Sequence, residues 1–150
     1  MTKERFKSIV AVYMILERDG QIFLMRRANT GYMDGMYGLP AGHHDGGQTL
    51  REAVAREAHE ELGITIKPED AEFVFTLHRP FATDGDRVDA YFRIKAWEGE
   101  PKNIEPEKCD DLGWFGYDAL PDNLISKLKI VFEGMKNGEH YAEVDDRVEG

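Results

Sequence analysis

Gly42-His43-His44-Asp45-Gly46-Gly47-Gln48-Thr49-Leu50-Arg51-Glu52, continuing as Ala53-Val54-Ala55-Arg56-Glu57-Ala58-His59-Glu60-Glu61-Leu62-Gly63-Ile64, is the stretch on which the reading turns. Its second half is marked as a helix at both ends. Thr49 with Glu52 three residues on has the form of a capping box, in which each side chain accepts a hydrogen bond from the other residue's backbone N–H. Gly63 is a natural stop, since a residue without Cβ enters the left-handed conformation at little steric cost. A helix is therefore predicted from Leu50 to Leu62. Leu50, Val54, Ala58 and Leu62 recur every four residues and give it one apolar stripe to bury.

The same helix carries Glu57, Glu60 and Glu61 at i, i+3 and i+4, which puts three carboxylates on one side with Cβ atoms roughly 5–6 Å apart. At about 100° per residue their sector adjoins the apolar stripe, so they sit at the edge of the core, where repulsion is less screened. A bound cation would relieve that repulsion, and oxygen-only ligands suit Mg2+ or Mn2+ better than zinc. Taken alone, the three glutamates also read as a solvated acidic helix face.

Outward from this helix, Ile9 to Leu16 and Ile22 to Met25 are apolar runs joined by Asp19-Gly20, the signal of a β-hairpin. Ala28 to Gly47 reads as a glycine-rich loop, long enough to expect a function. Strand-like runs follow at Glu72–Leu77, Val88–Trp97 and Leu112–Tyr117, with a turn at Asp84-Gly85. Pro121-Asp122 is read as the opening of a last helix, with Leu124, Ile125, Leu128, Phe132 and Met135 on its apolar side and Gly138 at its end. The acidic tail from Glu139 to Gly150 is expected to be frayed or loosely docked. Strands with one helix in the middle and one at the end make an α/β fold, a mixed sheet with helices on its faces.

At 150 residues and 41% hydrophobic, the chain suits one domain over 1–150. No run of 18 apolar residues occurs, and Met1-Thr2-Lys3-Glu4-Arg5-Phe6-Lys7 lacks the form of a secretory signal, so a soluble, cytoplasmic protein is expected. The lone Cys109 has no partner for an internal disulfide and reads as a packed thiol. A net charge of -10 argues against a binder of duplex nucleic acid, and no membrane partner is expected. It leaves room for a phosphorylated small molecule, because a cation held by carboxylates reverses the local sign.

Gly42, Arg56, Glu57, Glu60, Glu61, Gly63 and Ile64 stand at the spacing of the Nudix box, G-x5-E-x7-R-E-U-x-E-E-x-G-U with U aliphatic, and Ala58 occupies the first U. The segment resembles the Nudix hydrolase family. Gly38-Leu39-Pro40-Ala41 before the box, and Leu112-Gly113-Trp114-Phe115 with Ala119-Leu120-Pro121 after it, extend the similarity to about residues 8–136. One position departs: Gln48 stands where the family has a glutamate that braces the box arginine.

The resemblance implies an α/β/α sandwich with a mixed β-sheet. It also implies divalent-metal-dependent hydrolysis of a nucleoside diphosphate linked to another group, first of all a nucleoside triphosphate giving monophosphate and pyrophosphate. Nucleotide sugars and dinucleotides are alternatives. The family pattern makes the Gly42 carbonyl, Glu57, Glu60 and Glu61 the expected ligands of Mg2+ or Mn2+, and Arg56, Glu57 and Glu60 the catalytic set, with Arg56 holding Glu57. The general base is Glu57 in the first instance, with Glu105, Glu107 and Asp110 as alternatives. Arg27, Tyr32, Tyr37 and His78 are the expected substrate contacts, alongside Arg26, Met33, Met36, Arg79 and Phe81, while His43 and His44 fall where the family varies. An isopentenyl diphosphate isomerase shares the fold, but its catalytic cysteine and metal histidines have no counterpart. A nucleotide-binding module that lost catalysis through Gln48 is the non-enzymatic alternative, and intact Glu57, Glu60 and Glu61 argue against it. A small-molecule nucleotide is the expected partner, and a homodimer is compatible. Restoring glutamate at 48 is expected to raise the rate about fivefold if about 1 kcal/mol reaches the transition state.

Overall fold

The computed structural model describes residues 4–148, so Met1, Thr2 and Lys3 of the first segment, and Glu149 and Gly150 of the tail, lie outside the described residues. Ile9–Arg18 (β1) and Gln21–Arg27 (β2) form the expected hairpin, with Arg18 facing Gln21. Asp19 and Gly20 take φ of 53° and 75°, the two left-handed positions that a tight antiparallel turn needs. The two strands stay paired only near the turn. The body of β1 then runs parallel to β6 (Gly85–Ile94), from Ile9 opposite Arg87 to Leu16 opposite Ile94, while β2 pairs antiparallel with β7 (Cys109–Gly116).

Within the glycine-rich stretch, two short strands appear, β3 (Tyr37–Gly38) against β2 and β4 (Ala41–His43) against β1. The helix α1 (Leu50–Leu62) has the predicted ends, with Thr49 accepting from the Glu52 N–H, Glu52 accepting from the Thr49 N–H, and Gly63 at φ 68°. After a short 3-10 turn at Pro68–Asp70, β5 (Ala71–Ala82) pairs antiparallel with β6. The mixed sheet reads β3-β2-β1-β6-β5-β8, where β8 is the short strand Tyr141–Glu143, with β4 added to β1 and β7 to β2.

Strand alternation sorts the side chains into two cores. Val12, Met14 and Leu16 of β1 and Ala90, Phe92 and Ile94 of β6 meet Ala53, Val54, Ala58 and Leu62 of α1. Residues of the opposite parity, Ile15 and Tyr91, pack with Leu128, Val131 and Phe132 of α2 (Ser126–Lys136). Val54 and Leu62 leave water completely, which contributes about 1.5–3 kcal/mol for each side chain. The architecture is the expected α/β/α sandwich. Among the described residues no helix is long and apolar enough to cross a membrane.

Two expectations need correction. The last helix opens at Ser126, not at Pro121-Asp122, because the preceding segment bonds to β3: Tyr37 N–H donates to Asn123 carbonyl (2.8 Å) and Ile125 N–H to Tyr37 carbonyl (2.9 Å). The tail is not frayed at residues 141–148. Tyr141–Glu143 forms β8, a parallel edge strand on β5, and Val144 is buried.

Candidate active site

The strand β4 and the helix α1 meet at Gly42. It faces Val12 of β1, and a Cβ on it would lie 2.0 Å from the Glu57 carboxyl carbon. Only glycine lets α1 come this close. Arg56, one residue before Glu57, is the hub of the surrounding loop: its Nη1 donates to Glu57 (2.9 Å) and Glu60 (3.4 Å), its Nη2 to the His43 carbonyl (3.1 Å), and its Nε to Gln48 Oε1 (3.4 Å). The Asp45 carboxylate lies 3.3 Å from the same guanidinium.

Burial raises Glu57 above the usual carboxylate range, against the opposing pull of Arg56. Glu61 goes further: burial, then the charges of Glu57 and Glu105, push it up to about 8. Carboxylates held together at such a cost call for a counter-charge. Among the described residues no three His, Cys, Asp or Glu side chains converge into a complete cage. Glu60, its side chain 56% exposed and paired with Arg56 (3.4 Å), stands apart from Glu57 and Glu61, contrary to the expected set of three, and an ion such as Mg2+ would complete its shell with waters and substrate phosphates. Glu57, Glu61 and the main chain at Gly42 are the groups that would hold it.

Glu61, Gly42 and His43 line one end of a cleft of ≈ 510 Å³. Of the expected substrate contacts, Arg27 and Tyr32 also line it, as do Arg26, Arg79 and Glu105. Arg27 is already engaged, donating to the Tyr32 carbonyl (2.7 Å) and Thr30 hydroxyl (3.2 Å). Tyr37 and His78 are not brought there. Tyr37 is buried in the α2-side core with its hydroxyl donating to Asp111, and His78 pairs with Asp86 (3.0 Å) away from the cleft. Met33 and Met36 are likewise outside the lining, and Phe81 lies under Arg147. Asp110 is paired with Arg26 (2.7 Å), and Glu107 does not line the cleft. His44 is bonded to the Gln48 carbonyl (2.7 Å).

The NUDIX domain pattern matches residues 5–133. The chain belongs to the NUDIX family. An 8-oxo-dGTP diphosphatase of Escherichia coli (strain K12) is 32% identical over 125 residues, covering 80% of this chain and 95% of that protein. The NAD-capped RNA hydrolase NudC of Chromobacterium violaceum is 32% identical over 116 residues, covering 77% of this chain and 41% of its own, so this chain spans less than half of that relative. Among solved structures, the MutT NUDIX hydrolase of Burkholderia pseudomallei has a TM-score of 0.76 at 32% identity, over 85% of this chain and 98% of that one. The protein is a Nudix hydrolase.

With the Nudix box in place, its one departure acquires a physical reading. Gln48 does reach Arg56, at a long 3.4 Å, and Asp45 supplies the negative charge that a glutamine lacks. Cys109 lines the cleft, but burial raises its thiol and Sγ donates to the Asp111 carbonyl (3.1 Å), so it is no nucleophile in the manner of the isomerase.

The Nudix cleft is also lined by residues that the sequence reading missed: Tyr13, Arg87, Tyr91 and Lys127. Tyr13 stacks on Tyr91, with ring centroids 4.5 Å apart. Burial and then Asp89 push the Tyr13 hydroxyl up to about 12, so it stays protonated. A signal was present in Arg87-x-Asp89-x-Tyr91, polar groups at the period of two that faces one side of a sheet, inside an apolar strand.

Proposed function

We propose that this Nudix hydrolase cleaves the diphosphate linkage of a nucleotide, first of all converting a nucleoside triphosphate to monophosphate and pyrophosphate, with a divalent metal such as Mg2+ or Mn2+. The observation that carries the reading is the close approach of Glu57 to Gly42, with Glu61, Glu105, Arg26 and Arg27 lining one ≈ 510 Å³ cleft beside it. Such a site favours the approach of a cation with a polyphosphate in a protein whose net charge of -10 would otherwise repel it.

Glu57, Glu61 and the Gly42 carbonyl would hold the ion, and Arg56 fixes Glu57 against Gly42, while Glu60, more than half exposed and paired with Arg56, stays outside this set. When bound, the cation supplies counter-charge to the phosphate oxygens and polarises the attacking water. Water oxygen adds to one phosphorus, the bridging P–O bond breaks, and the departing phosphate keeps the bonding electrons. A cleft carboxylate takes the water's proton. Glu105 suits this role better than Glu57, since Glu105 faces the cleft while Glu57 accepts from Arg56 and packs on Gly42. Arg26 and Arg27 at the end of β2 line the cleft and would face the phosphate chain.

The relatives named as an 8-oxo-dGTP diphosphatase and an NAD-capped RNA hydrolase support nucleotides as the substrate class, with dinucleotides as the second reading. The test is a screen of nucleoside triphosphates, nucleotide sugars and dinucleotides with Mg2+, scoring phosphate and pyrophosphate. Pyrophosphate with a nucleoside monophosphate is the expected product pair. Failure to cleave any of the three classes would overturn the reading.

A further inference from the structure

The matched domain ends at residue 133, yet the chain beyond it packs against residues that line the cleft. β8 pairs with β5 from Tyr141 opposite Thr76 to Glu143 opposite His78, and Val144 N–H donates to the His78 carbonyl (2.9 Å). This register delivers Asp146 to two cations of the cleft wall, Arg79 at 2.8 Å and Lys127 at 3.4 Å. Arg79 and Lys127 are only 5% and 7% exposed. For Lys127, Asp146 is the sole carboxylate partner among the described residues.

Within this ion-pair network the charges balance. Arg79, Arg87 and Lys127 face Asp84, Asp89 and Asp146: the fully buried Asp89 accepts from Arg79 (3.1 Å) and Arg87 (3.2 Å), and Asp84 pairs with Arg87 (2.8 Å). Two further N–H groups reach hydroxyls, Arg79 to Tyr32 (3.4 Å) and Arg87 to Tyr13 (3.3 Å). A hydroxyl that accepts from a guanidinium keeps its own hydrogen to donate, and among the described residues neither tyrosine has an acceptor for it. The Tyr13 ring, stacked on Tyr91, lines the same cleft. The surface is neutral, aromatic and rich in donors, which suits an uncharged heterocycle with carbonyl or ring-nitrogen acceptors.

We propose that Asp146, carried in by segment 141–148, is a positioning residue that keeps the cleft wall at Arg79 and Lys127 neutral, so that it takes an uncharged heterocycle and disfavours a substrate with an additional phosphate there. The proposal deepens the nucleotide reading and rests on it. Without this carboxylate, Arg79 would keep one partner and Lys127 none, and the same wall would attract anions.

The test titrates inorganic phosphate into metal-free protein, in the presence of chelator, for wild type, Asp146→Asn, Asp146→Glu and the double variant Asp146→Asn with Lys127→Gln. Asp146→Asn is expected to bind phosphate at least about tenfold more tightly than wild type. Asp146→Glu should stay within about threefold of wild type, and the double variant should lose most of the gain. Equal phosphate affinity in wild type and a folded Asp146→Asn overturns the proposal. Should Asp146→Asn fail to fold, wild type decides: without metal, GTP should bind at least about tenfold more tightly than GTP carrying a 3′-phosphate, and equal or reversed affinities overturn the proposal. Neither measurement needs turnover. Absence of nucleotide hydrolysis would therefore refute the nucleotide reading separately from the role of Asp146.

Discussion

Gly42 shows how much of the site depends on one missing atom. A Cβ there would overlap the Glu57 carboxyl carbon at 2.0 Å, so Gly42→Ala must displace either the Glu57 side chain or the strand. Its expected effect is a fall in kcat/KM of about 100-fold or more, out of proportion to a stability loss of about 1–3 kcal/mol. Thermal unfolding and kinetics on the same preparation check it, and near-normal activity would show that the close approach is dispensable. Gln48 is the opposite case. The family pattern alone led to an expected fivefold gain for Gln48→Glu, but Asp45 at 3.3 Å, with Glu57 and Glu60, already gives Arg56 its carboxylates. The gain should shrink to under about 0.5 kcal/mol, roughly twofold in rate. A tenfold rise in kcat/KM would show that Asp45 does not substitute for the missing glutamate. The box residues were legible because their spacing within one helix fixes their mutual positions. Tyr13, Arg87 and Lys127 were not, because three separate elements bring them together.

At the scale of the element, α1 was readable to the residue because its signals are local: the Thr49–Glu52 box, the stripe ending at Leu62, and Gly63. Thr49→Ala removes the acceptor for the Glu52 N–H and should cost about 1 kcal/mol, read as a lower denaturation midpoint with unchanged slope. No change would mean that Glu52 alone caps the helix. β8 was unreadable for the converse reason, since its three residues become a strand only through β5, more than sixty positions earlier. The same docking makes a pH-dependent contribution. Burial tends to raise Asp146, but the hydrogen bond from Arg79 and the charges of Arg79 and Lys127 outweigh it, so its carboxyl lies below the ordinary value. A depressed folded value stabilises above the unfolded pKa of about 4, and that stabilisation is lost as pH falls through the folded value. The stability difference between wild type and Asp146→Asn should thus be about 2 kcal/mol near pH 7 and should narrow toward pH 3. A constant difference across that range would contradict the ion pair.

Over the whole molecule, the sheet separates two tasks. The α1 side carries the box and its carboxylates, while the opposite parity of β1 and β6 carries Tyr13, Asp89 and Tyr91 toward α2, and the cleft joins the two. A chain with net charge -10 can receive a polyphosphate at such a place only if the repulsion at Glu57, Glu61 and Glu105 is compensated. The metal requirement is therefore the claim on which the rest depends. The direct measurement is pyrophosphate release from a nucleoside triphosphate by exhaustively chelated protein, before and after Mg2+ is restored, in wild type and Glu61→Gln. Chelated wild type should be inactive and recover with Mg2+, while Glu61→Gln should need more Mg2+ and turn over at least about tenfold more slowly. Full activity after exhaustive chelation would contradict it.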